Sequence, residues 1–180
     1  MYHFHDQDHA MPLRSFVPGP DRQREFRDAL GRFATGVTVV TTATPDGPVG
    51  ITANSFASVS LDPPIVLWSV ARHSSRFAAF SQCEHFAVHV LAAEQLELGR
   101  HFVRAGNDFD AIDHTVNHHG VPLLPGCLSR FECTRMVGHD GGDHLIVVAR
   151  VSEAALRDGE PLLFAAGGYG RFDGFSAAGS

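Results

Sequence analysis

Lysine is missing from the chain: all 14 basic residues are arginine. Set beside many Ala, Gly and Asp residues, this reads as the codon usage of a GC-rich genome rather than as function. Basic charge is also in the minority, with 20 acidic residues and a formal net charge of −6. A protein built around nucleic acid is usually basic, so no nucleic-acid partner is expected. Cysteine is scarce. Cys83, Cys127 and Cys133 are irregularly spaced and form no CxxC, which excludes a disulfide framework and predicts reduced thiols in a cytoplasmic protein. No apolar run reaches membrane-spanning length, so no membrane is expected. The first residues lack the basic start and apolar stretch of a signal peptide. There is no Ser-His-Asp signature and no pair of catalytic carboxylates. Histidine is abundant, but the group His3, His5, Asp8 and His9 misses a hydrolase metal spacing by one residue and has no strand before it. His118-His119 stands as an isolated pair, so no metal is expected.

What is present is a globular composition, 44% hydrophobic and 19% charged, which rules out a disordered or coiled-coil chain. At 180 residues one domain suffices, burying roughly 70% of its extended-chain surface. Residues 1–20, polar, His-rich and Pro-punctuated, read as a flexible tail, and 21–175 as the domain. Asp21 is placed to cap a helix through about Ala34. Phe26, Leu30 and Phe33 give it one apolar face, and Gly36 offers a stop. Strands follow: Val37–Ala43, then a Pro45-Asp46-Gly47 turn, then Pro48–Ala53. Ile65–Val70, Phe86–Leu91, Phe131–Val137, Leu145–Ser152 and Leu162–Ala165 are the others. Gly138 is read as the end of its strand. Ser74 is placed to cap a short helix through Ser81. Glu94–Arg104 forms another with Leu98 and Phe102 inward, and Asn107–His119 is loop. About seven short strands with few helices predict a mainly β fold, a barrel whose closure removes exposed edges.

The densest chemical signal is the run Thr52 to Pro64. Four hydroxyls and an amide fall within nine residues and end in a rigid Asp-Pro-Pro corner. Small hydroxyl residues expose backbone N–H groups and side-chain donors, as an anionic or heteroaromatic ligand requires. A polar turn held by Asx and Ser/Thr motifs uses the same residues. From the residues alone both readings stand.

Several segments occur in an order that resembles the short-chain flavin reductases, the reductase components of two-component flavin-dependent monooxygenases. They are Phe26 to Phe33 with Ala34-Thr35-Gly36-Val37-Thr38-Val39-Val40-Thr41, Thr52-Ala53-Asn54-Ser55-Phe56, and Ser58-Val59-Ser60-Leu61-Asp62-Pro63-Pro64. Phe86 to Leu91, Gly120 to Leu124, Phe131-Glu132-Cys133, Gly142-Asp143-His144-Leu145-Ile146, and Pro161-Leu162 with Gly168-Tyr169 continue the pattern over roughly residues 22–172.

The resemblance implies a split β-barrel of the flavin reductase-like type, which binds FMN or FAD, usually across a homodimer. It implies reduction of the flavin by NADH or NADPH and release of the product to a partner monooxygenase. Thr52, Ala53, Asn54 and Ser55 match the segment at the flavin's ribityl and phosphate end. Ser58, Val59 and Ser60 match the stretch whose backbone faces the isoalloxazine. Ser74 matches a hydroxyl near the phosphate. Gly142-Asp143-His144 and Tyr169 match the nicotinamide side, which makes His144 the candidate catalytic residue. Two positions depart from the pattern. His89 stands where the family usually has Asn, and Arg76 where Thr is common. A guanidinium at 76 is suited to bidentate phosphate pairing. Hydride transfer between two cofactors needs no nucleophile and no metal; it needs the reacting atoms held about 3–3.5 Å apart. An FMN-retaining oxidoreductase of the same fold and a non-catalytic flavin-binding module are the rival readings.

Overall fold

The computed structural model describes residues 12–174. The His3, His5, Asp8 and His9 group, the first part of the tail and the end of the 21–175 unit lie outside the described residues. A seven-stranded antiparallel sheet forms the body. Its strands are β2 (Thr38–Thr44), β3 (Gly47–Ala53), β4 (Ala57–Ser60), β5 (Ile65–Ala71), β6 (His85–Val90), β9 (Ser129–Gly141) and β10 (His144–Leu156), in the order β3-β2-β6-β9-β10-β5-β4. A three-stranded sheet joins β1 (Thr35–Gly36), β11 (Leu162–Ala165) and β12 (Gly168–Arg171). A two-stranded one joins β7 (Thr115–Val116) and β8 (Pro122–Leu123). The helices are α1 (Gln23–Leu30), α2 (Phe77–Gln82) and α3 (Leu96–Arg104).

The fold is mainly β, as expected, and it is a split barrel. The expectation of closure fails, because β3 and β4 remain the two edges of the large sheet and do not pair with each other. The Pro45-Asp46-Gly47 turn closes the β2–β3 hairpin, with Gly47 at φ 119°. Gly138 does not end β9. It pairs with Val147, and the turn falls at Gly142-Asp143, where Gly142 has φ 75°. Residues 57–60, inside the run that also read as a polar turn, form a strand, and a bulge skips Val59 between Ser58 and Ser60.

The first helix also stops short of the expected Ala34. It ends at Leu30 because the Gly31 carbonyl accepts the Ala166 N–H from the β11–β12 turn at 2.7 Å. The chain then extends to pair Thr35 with Phe164. Among the described residues the apolar face of α1 is left open: Phe26 and Leu30 on the helix and Phe33 just beyond it are 43%, 59% and 79% exposed. Ser74 does not cap α2, which begins at Phe77 behind Arg76; its hydroxyl accepts the Arg76 N–H instead. The last helix agrees with expectation, since Phe102 is fully buried and Leu98 packs on the same cluster. His118-His119 is not isolated, because His119 stacks on His85 at 3.5 Å.

Trp68, Phe80 and Phe86 centre the main core between the sheet and α2. A second core, with Val37, Leu91, Phe102 and Leu124, lies under α3. Threonines along β2 tie the layers. Thr41 donates to the Pro122 carbonyl and Thr42 to the His85 carbonyl, so the hydroxyls are buried but bonded.

His89, fully buried on β6, joins three segments. Its Nε2 accepts the Leu124 N–H at 3.1 Å, so Nδ1 carries the proton and donates to the Val39 carbonyl at 3.1 Å. Burial lowers its pKa from 6.5 to about 4. The unfolded chain therefore binds a proton that the folded chain refuses, and stability falls as pH drops from 6.5 towards 4. Urea denaturation should lose about 2 kcal/mol between pH 7 and pH 5 from this group. His89→Asn should keep both bonds and abolish that loss. His89→Leu should cost about 1–3 kcal/mol at neutral pH by leaving two buried backbone groups unpaired. An unchanged midpoint in the Leu variant would show that the bridge contributes nothing.

Candidate functional site

The two edges of the large sheet are consecutive in the chain, so the link 54–56 must cross the split. The β4–β5 register places Ala57 opposite Leu67. Continued by two residues, it brings 55 opposite 69 where the strand has already peeled away. The Ser55 hydroxyl takes over the missing rung: it donates to the Ser69 carbonyl at 2.9 Å and accepts the Ser69 N–H at 3.0 Å. One residue earlier, Asn54 is exposed, and its amide has no partner among the described residues. Beyond the bulge, edge strand β4 leaves backbone groups of 58–60 open on its outer side.

A cleft of about 150 Å³ opens at the β3 end of the link, lined by Thr52, Ala53, Asn54, Val103, Phe164 and Tyr169 with Val37 behind. Its walls are fixed. The Thr52 hydroxyl donates to the Gly99 carbonyl at 2.6 Å, tying β3 to α3. Tyr169 rises from β12, edge-on to Phe164 at 5.3 Å, with the Arg100 guanidinium 5.9 Å from its ring centre. The cleft thus offers an aromatic wall, an apolar back and a free amide, a combination suited to a planar heteroaromatic ligand with a polar tail.

The β5–α2 connection carries Ser74 and Arg76. Ser75 and Arg76 line two larger clefts, one against the β2–β3 hairpin and one against the end of α3. The same connection holds the β9–β10 hairpin. Arg72 donates from Nε to the Gly142 carbonyl and from Nη2 to Asp140, while its N–H meets the Asp143 carbonyl. His144 opens β10 opposite Ala71, half-exposed, with Nδ1 2.7 Å from Asp143 Oδ1. The hydrogen bond from His144 holds the Asp143 carboxyl below its ordinary range, and Arg72 does the same for Asp140.

The structure therefore gathers Thr52, Ala53, Asn54 and Tyr169 on one cleft. Ser55 lies beside them, committed to the seam; Ser58, Val59 and Ser60 follow on the edge. Ser74 turns its hydroxyl to the backbone, while Arg76 lays its side chain over Gly106 and donates from Nη1 to the Val103 carbonyl at 3.3 Å. Tyr169 and His144 were both assigned to the nicotinamide side, but only Tyr169 lines the Thr52–Asn54 cleft. Sequence reasoning missed Ser75, Val103, Arg104 and Phe164. Arg104, a cation in the last turn of α3 just before Gly106, left the one readable signal.

A split barrel with an aromatic-walled cleft at its seam suits a planar heteroaromatic ligand. Residues 30–173 match the family described as flavin reductase like domain. Over 157 residues the chain is 59% identical to FMN reductase (NADH) SmoA of Agrobacterium fabrum, covering 87% of this chain and 90% of that one. It is 42% identical to the flavin-dependent monooxygenase reductase subunit HsaB of Rhodococcus jostii, covering 81% and 76%. The solved structure of Streptomyces globisporus NADH:FAD oxidoreductase SgcE6, in complex with NAD and FAD fragments, superposes with a TM-score of 0.83 at 36% identity, covering 90% and 99%. The chain belongs to the flavin reductase family.

The two polar residues at the seam should separate experimentally. Ser55→Ala should lower stability by about 1–3 kcal/mol, because both backbone groups of Ser69 lose their partner. Asn54→Ala should leave stability within about 0.5 kcal/mol. Its flavin affinity, read by fluorescence quenching, should weaken by about 1–2 kcal/mol. Equal flavin binding by wild type and the Asn54 variant would place the flavin elsewhere.

Proposed function

We propose that this chain is an NADH:flavin oxidoreductase that reduces FMN or FAD and passes the reduced flavin to a partner monooxygenase. The observation that carries the reading is the seam cleft, where the unpartnered Asn54 amide and the ring of Tyr169 meet. The names of the relatives support it: an NADH-dependent FMN reductase, an NADH:FAD oxidoreductase and a reductase subunit of a monooxygenase. The residues fit a flavin. Asn54 and the backbone of 52–55 would hold its polar tail, and the open edge of β4 presents N–H groups to its ring system. When bound, the flavin supplies the hydride acceptor and the nicotinamide nucleotide the donor. The protein's share is to orient and to exclude water. Tyr169 forms an apolar wall. His144, its Nδ1–H committed to Asp143, would offer Nε2 as an acceptor to a carboxamide or hydroxyl donor of the nicotinamide nucleotide. The apolar walls of the cleft bury little polar surface, so the ligand's own heteroatoms must be met by the few donors present.

We read the unit of function as residues 21–175, acting in the cytoplasm with its three cysteines free. Among the described residues no helix is long and apolar enough to cross a membrane. Steady-state oxidation of NADH and NADPH should be compared with FMN, FAD and riboflavin as acceptors. Fast NADH turnover that needs added flavin is expected. His144→Ala should lower kcat/KM for NADH about 10–100-fold, about 1.4–2.8 kcal/mol, with flavin binding retained. Tight retention of one FMN, with no turnover of added flavin, would instead favour an oxidoreductase acting directly on its substrate.

The uncovered face of α1 supports a homodimer, since three large apolar side chains on one short segment rarely stay in water. Light scattering at micromolar concentration should give about twice 19.4 kDa, and Leu30→Asp should shift it towards the monomer. A mass of 19.4 kDa for the wild type would refute the dimer.

A further inference from the structure

Arg130, on β9, is a cation that the fold leaves short of partners. Its side chain is only 25% exposed, yet its Nε has no hydrogen-bond acceptor among the described residues. Glu132 Oε1 lies 3.2 Å from that nitrogen and supplies opposite charge without hydrogen-bond alignment. The other carboxylate oxygen of Glu132 accepts from the Asn117 amide at 2.7 Å. A guanidinium carries five donors, and one largely withdrawn from water needs acceptors for them. Arg130 lines a cleft of about 350 Å³ that has no role in the reading above and shares no lining residue with the Thr52–Asn54 cleft. Asp113 lines it too but forms no ion pair with Arg130, so two opposite charges stand apart on one cavity.

We propose that this cleft binds a free α-amino acid with an apolar side chain. The guanidinium of Arg130 takes the carboxylate, for which its planar fork is the matched donor. An ammonium has three donors, and three consecutive residues on the cleft carry acceptors: the Asp113 carboxylate, the His114 ring and the Thr115 hydroxyl. The His114 ring is oriented for this. Its Nδ1 donates to the Ile112 carbonyl at 2.8 Å, which leaves Nε2 as an acceptor, and Phe109 lies edge-on to it at 5.3 Å. Leu123, Leu124 and Pro125 form the apolar side of the cleft, against which the ligand's side chain would pack. Net charge selects the class. A simple carboxylate would add a second negative charge beside Asp113, and Glu132 already offsets Arg130. A simple amine would leave Arg130 unmet. A zwitterion joins the separated charges and leaves the balance as it stands.

The full chain is titrated calorimetrically with leucine, isocaproate and isopentylamine, which share a branched apolar body and differ in charge. Leucine should bind, and the other two should each bind about tenfold more weakly or worse, the scale of one lost charge-assisted contact. Asp113→Asn, in an exposed segment, should raise the Kd of leucine about tenfold and leave that of isocaproate no higher. Arg130→Gln should weaken leucine and isocaproate together. If that variant fails to fold because Glu132 loses its cation, the Asp113 variant alone decides. Absence of leucine binding at millimolar concentration overturns the proposal. So does isocaproate binding as tightly as leucine, or an Asp113 variant with the wild-type Kd for leucine. The titration contains neither flavin nor NADH, so its result is independent of the reductase reading.

Discussion

The hydroxyl of Ser55 is the constraint on which the site depends. An antiparallel sheet with β3 and β4 as consecutive edges must either close or leave a split, and here the link between them is pinned to β5 by the Ser55 hydroxyl. Closure by backbone pairing would bury the N–H and C=O groups of the link in a ladder. Pinning by one serine holds the link without a backbone ladder and leaves the Asn54 amide and the outer edge of 58–60 unpaired among the described residues. Unpaired sheet edges are ordinarily a hazard because they invite other strands. The bulge at Val59 and the brevity of β4 interrupt the edge, so it is open to a small molecule and poorly suited to a strand.

The opposite wall is built as firmly. Thr52 and Gly50 on β3 are bonded to Gly99 and Gly106, at the middle and just beyond the end of α3. This fixes the last turn of α3, and with it Val103 and Arg104, relative to the seam. Arg72 does for the β9–β10 hairpin what these bonds do for α3, since its side chain and backbone hold three residues of the turn before His144. The residues proposed to meet the ligand are thus carried by short, anchored segments. Such preorganisation is what hydride transfer between two cofactors asks of a protein that supplies no reacting group.

Much of this was legible in the sequence, for identifiable reasons. Val37–Ala43 and Ile65–Val70 are β-branched runs whose pairing needs no distant information, and Pro45-Asp46-Gly47 specifies its own turn. Phe102 followed from helical spacing. The end of α1 did not, because the acceptor at Gly31 meets Ala166, 135 positions away, and no local pattern reports that. Gly138 misled because a glycine inside a long hairpin resembles a glycine that ends one. Asn54 and Tyr169 were singled out separately by composition and resemblance, but that they share a cleft is a property of the small β1-β11-β12 sheet. Ser55 was read as a donor to ligand. Only the register of β4 on β5 reveals that its hydroxyl is occupied.

The two departures from the family pattern have opposite meanings, and structure is needed to separate them. A polar residue on an apolar strand and an arginine in a serine-rich turn look alike as substitutions. His89, however, offers one donor and one acceptor to two buried backbone groups, the same pair of functions that an asparagine amide offers. The change conserves hydrogen bonding and adds only a titratable ring, so its consequence is confined to stability at acid pH. Arg76 conserves nothing. It brings a full charge, a long apolar stem laid over Gly106 and a fork that faces a cleft it shares with Arg104. A hydroxyl at that position would leave Gly106 without its neighbour and the cleft with half its positive charge. The substitution at 89 is absorbed by the core, while the one at 76 alters what the surface can bind.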